Sequence, residues 1–136
     1  MRLNEKIKRT IILVTALSTI FAMTIASNAA HSIADSFTCG GYYVGYNASM
    51  TSNKVTAVTG FTKTLTGQKT STTINTIIKI NNGTGATSAG TPKNINGDKT
   101  ASASYTCPNG YTILSASTRH TAQVNGSTKT AHGTLN

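Results

Sequence analysis

The feature that most constrains this chain is a period of two. From Tyr42 onward, Tyr42, Val44, Tyr46, Ala48 and Met50 alternate with Tyr43, Gly45, Asn47, Ser49 and Thr51. Lys99 to Cys107 repeats the pattern, with Ala101, Ala103, Tyr105 and Cys107 on one side and Thr100, Ser102, Ser104 and Thr106 on the other. Successive side chains of a strand point to opposite faces, so each run predicts a half-buried strand. Lys54 to Leu65 predicts another, with Val55, Ala57 and Phe61 inward and a slip at Val58 that implies a bulge or bend at Gly60. Thr70 to Ile80 is the most apolar strand, with Ile74, Ile78 and Ile80 on one side and Ile77 on the other.

Two further strands, Tyr111–Val124 and Ser127–Leu135, flank Asn125-Gly126, a dipeptide suited to the left-handed backbone of a two-residue hairpin. Between Asn81 and Asp98, Gly83, Gly85, Gly90, Pro92 and Gly97 predict a loop with room for a short edge strand. With no helical period after residue 30, the pattern predicts an all-β fold. The expected architecture is a small antiparallel β-sandwich or barrel of about six to eight strands.

The first thirty residues read differently. Arg2, Lys6, Lys8 and Arg9 precede an apolar run from Ile11 to Ile25, and Ala26-Ser27-Asn28-Ala29-Ala30 follows it. A basic start, a short apolar stretch and a small-x-small site are the parts of a secretory signal. The run is short of the roughly 20 apolar residues a membrane span requires and contains four hydroxyl side chains. The expectation is a signal helix over 1–29, cleaved after Ala29, and a secreted β domain over 30–136 that does not span a membrane.

Export bears on Cys39 and Cys107, the chain's two cysteines. Oxidising compartments preserve disulfides, and neither cysteine has a His or carboxylate at metal-ligand spacing. The expected pairing is Cys39–Cys107, a closure the chain-entropy account values at roughly 4 kcal/mol.

Composition limits the chemistry. Thr, Ser, Asn and Gly make up 55 of the 107 residues from Ala30 to Asn136, whose acidic side chains are Asp35 and Asp98. Paired-carboxylate chemistry needs two carboxyl groups at a defined separation, which this supply makes improbable. There is no nucleophile elbow, H-E-x-x-H or phosphate-cradling loop, so no catalytic residue, metal ligand or cofactor is expected. Register tests the late histidines: a two-residue loop at Asn125-Gly126 sets His120 opposite Ala131 and Arg119 opposite His132. The two imidazoles then occupy opposite faces and cannot share a metal. His120 falls on the side of Leu114, Ala116, Ala122 and Val124, where it reads as a core residue.

The eight basic side chains after residue 30 are dispersed, not gathered into the stripe a nucleic acid requires, and nucleic acid is not an expected partner. Dispersed lysines protect sheet edges and favour an anionic membrane or cell-wall polymer as partner. Tyr43, Arg119 and His132, each on a polar face, are the candidate contact residues. Asn47, Asn82 and Asn125 open N-glycosylation triplets, at the frequency chance allows in so Asn- and Thr-rich a chain. Ser117-Thr118-Arg119-His120-Thr121-Ala122-Gln123-Val124-Asn125-Gly126 resembles a stretch of small exported bacteriocins of the lactococcin 972 type. The resemblance covers about ten residues, implies a cationic β-sandwich made with a signal peptide, and transfers no residue roles. The function expected is non-enzymatic contact with a cell envelope or other macromolecule. The alternative is an antimicrobial or toxin-like protein acting on membranes.

Overall fold

A computed structural model describes residues 31–81 and 85–136. The expected signal segment 1–29 and Asn82 lie outside the described residues. Among the described residues there are nine strands and no helix: β1 (His31–Cys39), β2 (Tyr42–Met50), β3 (Lys54–Phe61), β4 (Lys69–Ile80), β5 (Thr87–Ala89), β6 (Lys93–Gly97), β7 (Thr100–Thr106), β8 (Tyr111–Val124) and β9 (Ser127–Leu135).

They form two antiparallel sheets. The front sheet runs β1-β2-β3-β7. In the back sheet β4 pairs with β8 and β8 with β9, while β5 and β6 sit end to end along the other edge of β4. The sheets pack face to face, β1 over β9, β3 over β4 and β8, and β7 over β4 and β6. The chain crosses between sheets after β3, after β6 and after β7. This is the sandwich alternative of the expected fold.

The alternation in β2 and β7 holds: Val44, Tyr46, Ala48 and Met50, and Ala101, Ala103 and Tyr105, are buried inward. Asn125 and Gly126 have φ of 50° and 73°, the left-handed pair a tight hairpin needs, and the register sets His120 opposite Ala131 and Arg119 opposite His132 as expected.

Other details differ. The strand β1 is not among the expected strands; Asp35 and Ser36 interrupt its alternation, and the turn that joins it to β2 is Gly40-Gly41, at φ 57° and 82°. No bulge occurs at Gly60, and β3 pairs without a break on both sides. Val58 is buried although it points to the outer face, because β3 is a central strand and Asn47 and Ser102 flank it. The irregularity lies instead in β8. Its register with β4 shifts so that Ile78 faces Ile113 and Ile77 faces Ser115, leaving Leu114 unpaired. Ile113 is thereby buried and Leu114 is 42% exposed, the reverse of the expected inward Leu114. Ile80, expected inward beside Ile78, is 41% exposed at the strand end.

The expected disulfide is absent. Cys39 and Cys107 are both free and buried. Cys39 lies opposite Tyr42 at one end of β2, and the Cys107 amide donates to Asn53 O (2.9 Å) beyond the other end. Eight residue steps of β2 separate them by roughly 26 Å, whereas a disulfide needs Cα atoms within about 7 Å. Parity put Cys107 inward correctly, but parity carries no information about position along the strand. Each thiol instead points at backbone carbonyls: Cys39 at Ala122 O (3.3 Å) and Ser127 O (3.4 Å), Cys107 at Tyr111 O (3.2 Å).

The core has two apolar ends. One gathers Met50, Val55, Ile74, Ile78, Tyr105, Ile113 and Leu135; the other gathers Cys39, Val44, Phe61, Ala122 and Val124. Between them the inward positions turn polar on three adjacent strands: Thr59 on β3, Thr72 on β4, and Thr118 and His120 on β8, all at most 2% exposed.

Candidate functional site

The polar middle of the core is one hydrogen-bonded chain. Thr72 Oγ1 donates to Ala101 O at 2.8 Å, which uses its only proton. The 2.7 Å contact between Thr59 and Thr72 hydroxyls is then a donation from Thr59. The 2.8 Å contact between Thr59 Oγ1 and His120 Nδ1 must therefore be a donation from the imidazole Nδ1–H. That leaves Nε2 bare, and Thr118 Oγ1 donates to it at 2.9 Å. The order is Thr118 to His120 to Thr59 to Thr72 to Ala101, passing between back and front sheets three times. Tyr46 of β2 covers the imidazole, with ring centroids 4.5 Å apart and planes 27° from parallel, and Phe37 lies 6.0 Å beyond Tyr46.

This setting requires a neutral ring. Burial, aided by repulsion from His132, pushes His120 down to about 4, against a smaller upward pull from the Val58 carbonyl. Burial first, and the Asp35 charge second, raise the Tyr46 phenol. With no surface on the ring and both nitrogens engaged, His120 has no free lone pair to offer a substrate or metal.

One surface open to partners is the outer face of the back sheet. Strand parity sends Lys69, Ser71, Thr73, Asn75 and Ile77 of β4 outward, and Gln123, Thr121, Arg119, Ser117 and Ser115 of β8 beside them. Thr128, Thr130, His132 and Thr134 of β9 complete the rows. The face is ordered by cross-strand hydroxyl and amide bonds: Thr121 with Thr130 at 3.0 Å, and Ser71 and Thr73 both donating to Asn94 Oδ1, at 3.0 and 3.1 Å. Three open depressions follow one another along it. One of about 480 Å³ lies by Lys69, Asn96, Asp98 and Gln123. The next, of about 520 Å³, has Arg119 and His132 side by side among Thr73, Asn75 and Ser117. The last, of about 240 Å³, ends on Ile77 and Ala89.

Of the three candidate contact residues, the structure brings together Arg119 and His132, which are direct cross-strand partners and both exposed. Tyr43 is half-buried on the outer face of the front sheet, the opposite side of the sandwich. Sequence reasoning missed Lys69 and the hydroxyl rows around Arg119, whose outward parity was readable but whose neighbours depend on the β4–β8 pairing. Asn47 Nδ2 is buried without a hydrogen-bond partner, so the folded protein does not present that amide to a glycosylating enzyme. Asn125 stands exposed in its turn. No protein-family model matches the chain, and no curated protein matches it in sequence.

Proposed function

We propose that this is an exported, non-enzymatic binding protein that holds an anionic cell-envelope polymer on the outer face of its back sheet. The observation that carries the reading is the paired Arg119 and His132 in a hydroxyl- and amide-lined trough, with Lys69 on the same face. Asp35 and Asp98 are the only side-chain carboxylates among the described residues; Asp98 lines the depression beside Lys69, and neither lines the one that holds Arg119 and His132. A guanidinium so placed is free to take phosphate or carboxylate oxygens in a fork, while threonine and asparagine side chains meet neighbouring hydroxyls. The expected affinity is modest and salt-sensitive, because exposed charges are screened over about 10 Å at 0.1 M salt.

The test is binding of a soluble glycerol-phosphate polymer, followed by calorimetry at rising salt, for the protein and for the Arg119→Gln, His132→Gln double variant. The reading expects binding that weakens with salt and drops at least several-fold in the variant. Equal binding by both proteins removes this face from consideration.

A second reading, membrane-directed antimicrobial action, draws on Ile77 and Leu114, 48% and 42% exposed at the far end of the same region. Cationic and apolar ends on one face suit a lipid surface. Dye leakage from anionic vesicles that Leu114→Ser abolishes would favour it; binding without leakage favours the polymer.

A further inference from the structure

We propose that the chain pairs with a second copy of itself through β1 and β9, the two edge strands stacked on one side of the sandwich. Each sheet of one copy then continues into the opposite sheet of the other. The hydrogen-bond phase of both edges is fixed. Thr62 N donates to Tyr43 O, so the odd residues of β2 bond to β3 and its even residues to β1. Their partners on β1 are the odd residues from His31 to Cys39, which leaves the N–H and C=O groups of Ser32, Ala34, Ser36 and Thr38 pointing to the open edge. On β9 the two-residue turn at Asn125-Gly126 makes Val124 and Ser127 a bonded pair. The backbone groups of Thr128, Thr130, His132 and Thr134 therefore point outward. Neither strand is broken by a proline or a bulge, whereas Gly90-Thr91-Pro92 interrupts the other edge of the back sheet between β5 and β6.

Position makes the two edges complementary. Ile33 lies over Gly133, and Gly40 lies against Val124 and Ser127, so β1 and β9 run antiparallel, one above the other. A two-fold axis along the strands keeps each residue at its own height and exchanges the sheets. Packed sheets cross at roughly 30°, and this rotation carries the tilt of β9 onto that of β1, so the two edges meet aligned. With Ile33 opposite the partner's Gly133, Ser32 meets the partner's Thr134, Ala34 the partner's His132, Ser36 the partner's Thr130 and Thr38 the partner's Thr128. These are the residues whose backbone groups point outward, and the symmetry forms the same seam twice.

Charge selects this pairing over the alternatives. Asp35 and Lys129 occupy inward positions on β1 and β9, and both are exposed at the open side. Inward-pointing charges guard an edge against its own kind. Full overlap of β1 with a second β1 sets Asp35 against Asp35, and overlap of two β9 strands leaves Lys129 without a carboxylate. In the crossed pairing Asp35 is diagonal to the partner's Lys129, within reach of so long a side chain. The stem of that lysine covers Phe37, which is half-buried and lies opposite it.

The test is sedimentation velocity of the full chain over a range of concentrations, with circular dichroism melting as the check on folding. The wild type should pass from monomer to dimer as concentration rises. Ala34→Pro removes one outward N–H and no bond to β2, so it should keep the melt and weaken dimerisation by about ten-fold or more. Asp35→Lys should weaken it as well, and adding Lys129→Asp to that variant should restore it. If Ala34→Pro does not fold, Thr130→Pro makes the same test from the other edge. A wild type that stays monomeric at every concentration overturns the proposal. So does a dimer that a folded proline variant leaves unchanged, or one that the charge exchange fails to restore.

Discussion

At Gly133 the back sheet presents no side chain, and the front sheet uses the space. A Cβ there would collide with Ile33 Cδ1 of β1 and lie 2.7 Å from the Thr118 hydroxyl that begins the buried hydrogen-bond chain. Gly133→Ala should therefore destabilise the protein by about 1–3 kcal/mol, the usual cost of overpacking, as measured by urea unfolding. The strain would fall where β1 meets β9 and beside His120, so the variant should also move the His120 NMR resonances. The cysteines support a second prediction at this scale. Each thiol is unpaired and directed at backbone carbonyls, and the two lie at opposite ends of β2. Adding reductant should leave the melting temperature unchanged, whereas a drop of several degrees would show a cross-link that this fold does not contain.

Among the strands, β8 shows most clearly what a sequence can and cannot convey. Its boundaries and its pairing with β9 follow from Asn125-Gly126 alone, because a two-residue turn fixes the register of everything behind it. Its pairing with β4 has no such local determinant. The shift at Leu114 reverses which of Ile113 and Leu114 is buried, and simple alternation cannot anticipate it. Accordingly, Ile113→Ala should cost about 2–4 kcal/mol while Leu114→Ser costs under about 0.5 kcal/mol, by denaturant titration. The inward orientation of His120 was legible from parity; its threonine partners were not, since Thr59 and Thr72 reach it from other strands. The strand β1 has only a weak signal in the sequence because Asp35 interrupts its apolar positions, although Gly40-Gly41 carries a hairpin signal. Likewise, outward parity identified Arg119 and His132, but only the assembled sheet separates them from Tyr43.

For the molecule as a whole, stability is divided between two apolar ends and a polar middle that links the sheets. Its two halves are therefore not interchangeable under mutation. Removing an apolar side chain costs transfer and cavity energy at one end, whereas Thr59→Val strands the Nδ1–H of His120 and leaves Thr72 Oγ1 without its donor. An unmet buried donor costs about 1–3 kcal/mol, so Thr59→Val should destabilise despite its matching shape, and thermal melting will show it. The three crossings between sheets have a different consequence, one that concerns time. The middle of the back sheet is β8, and β4 meets it only after β5, β6 and β7 have been made. The pairings of β3 with β7 and of β4 with β8 join strands far apart in the chain, and folds that depend on such pairings form in milliseconds to seconds. A chain that ends before Tyr111 has no partner for the long edge of β4 and should show no cooperative melt by circular dichroism. The strands of the front sheet are all in hand by Thr106, but the sandwich closes only when β8 arrives to give β4 its partner.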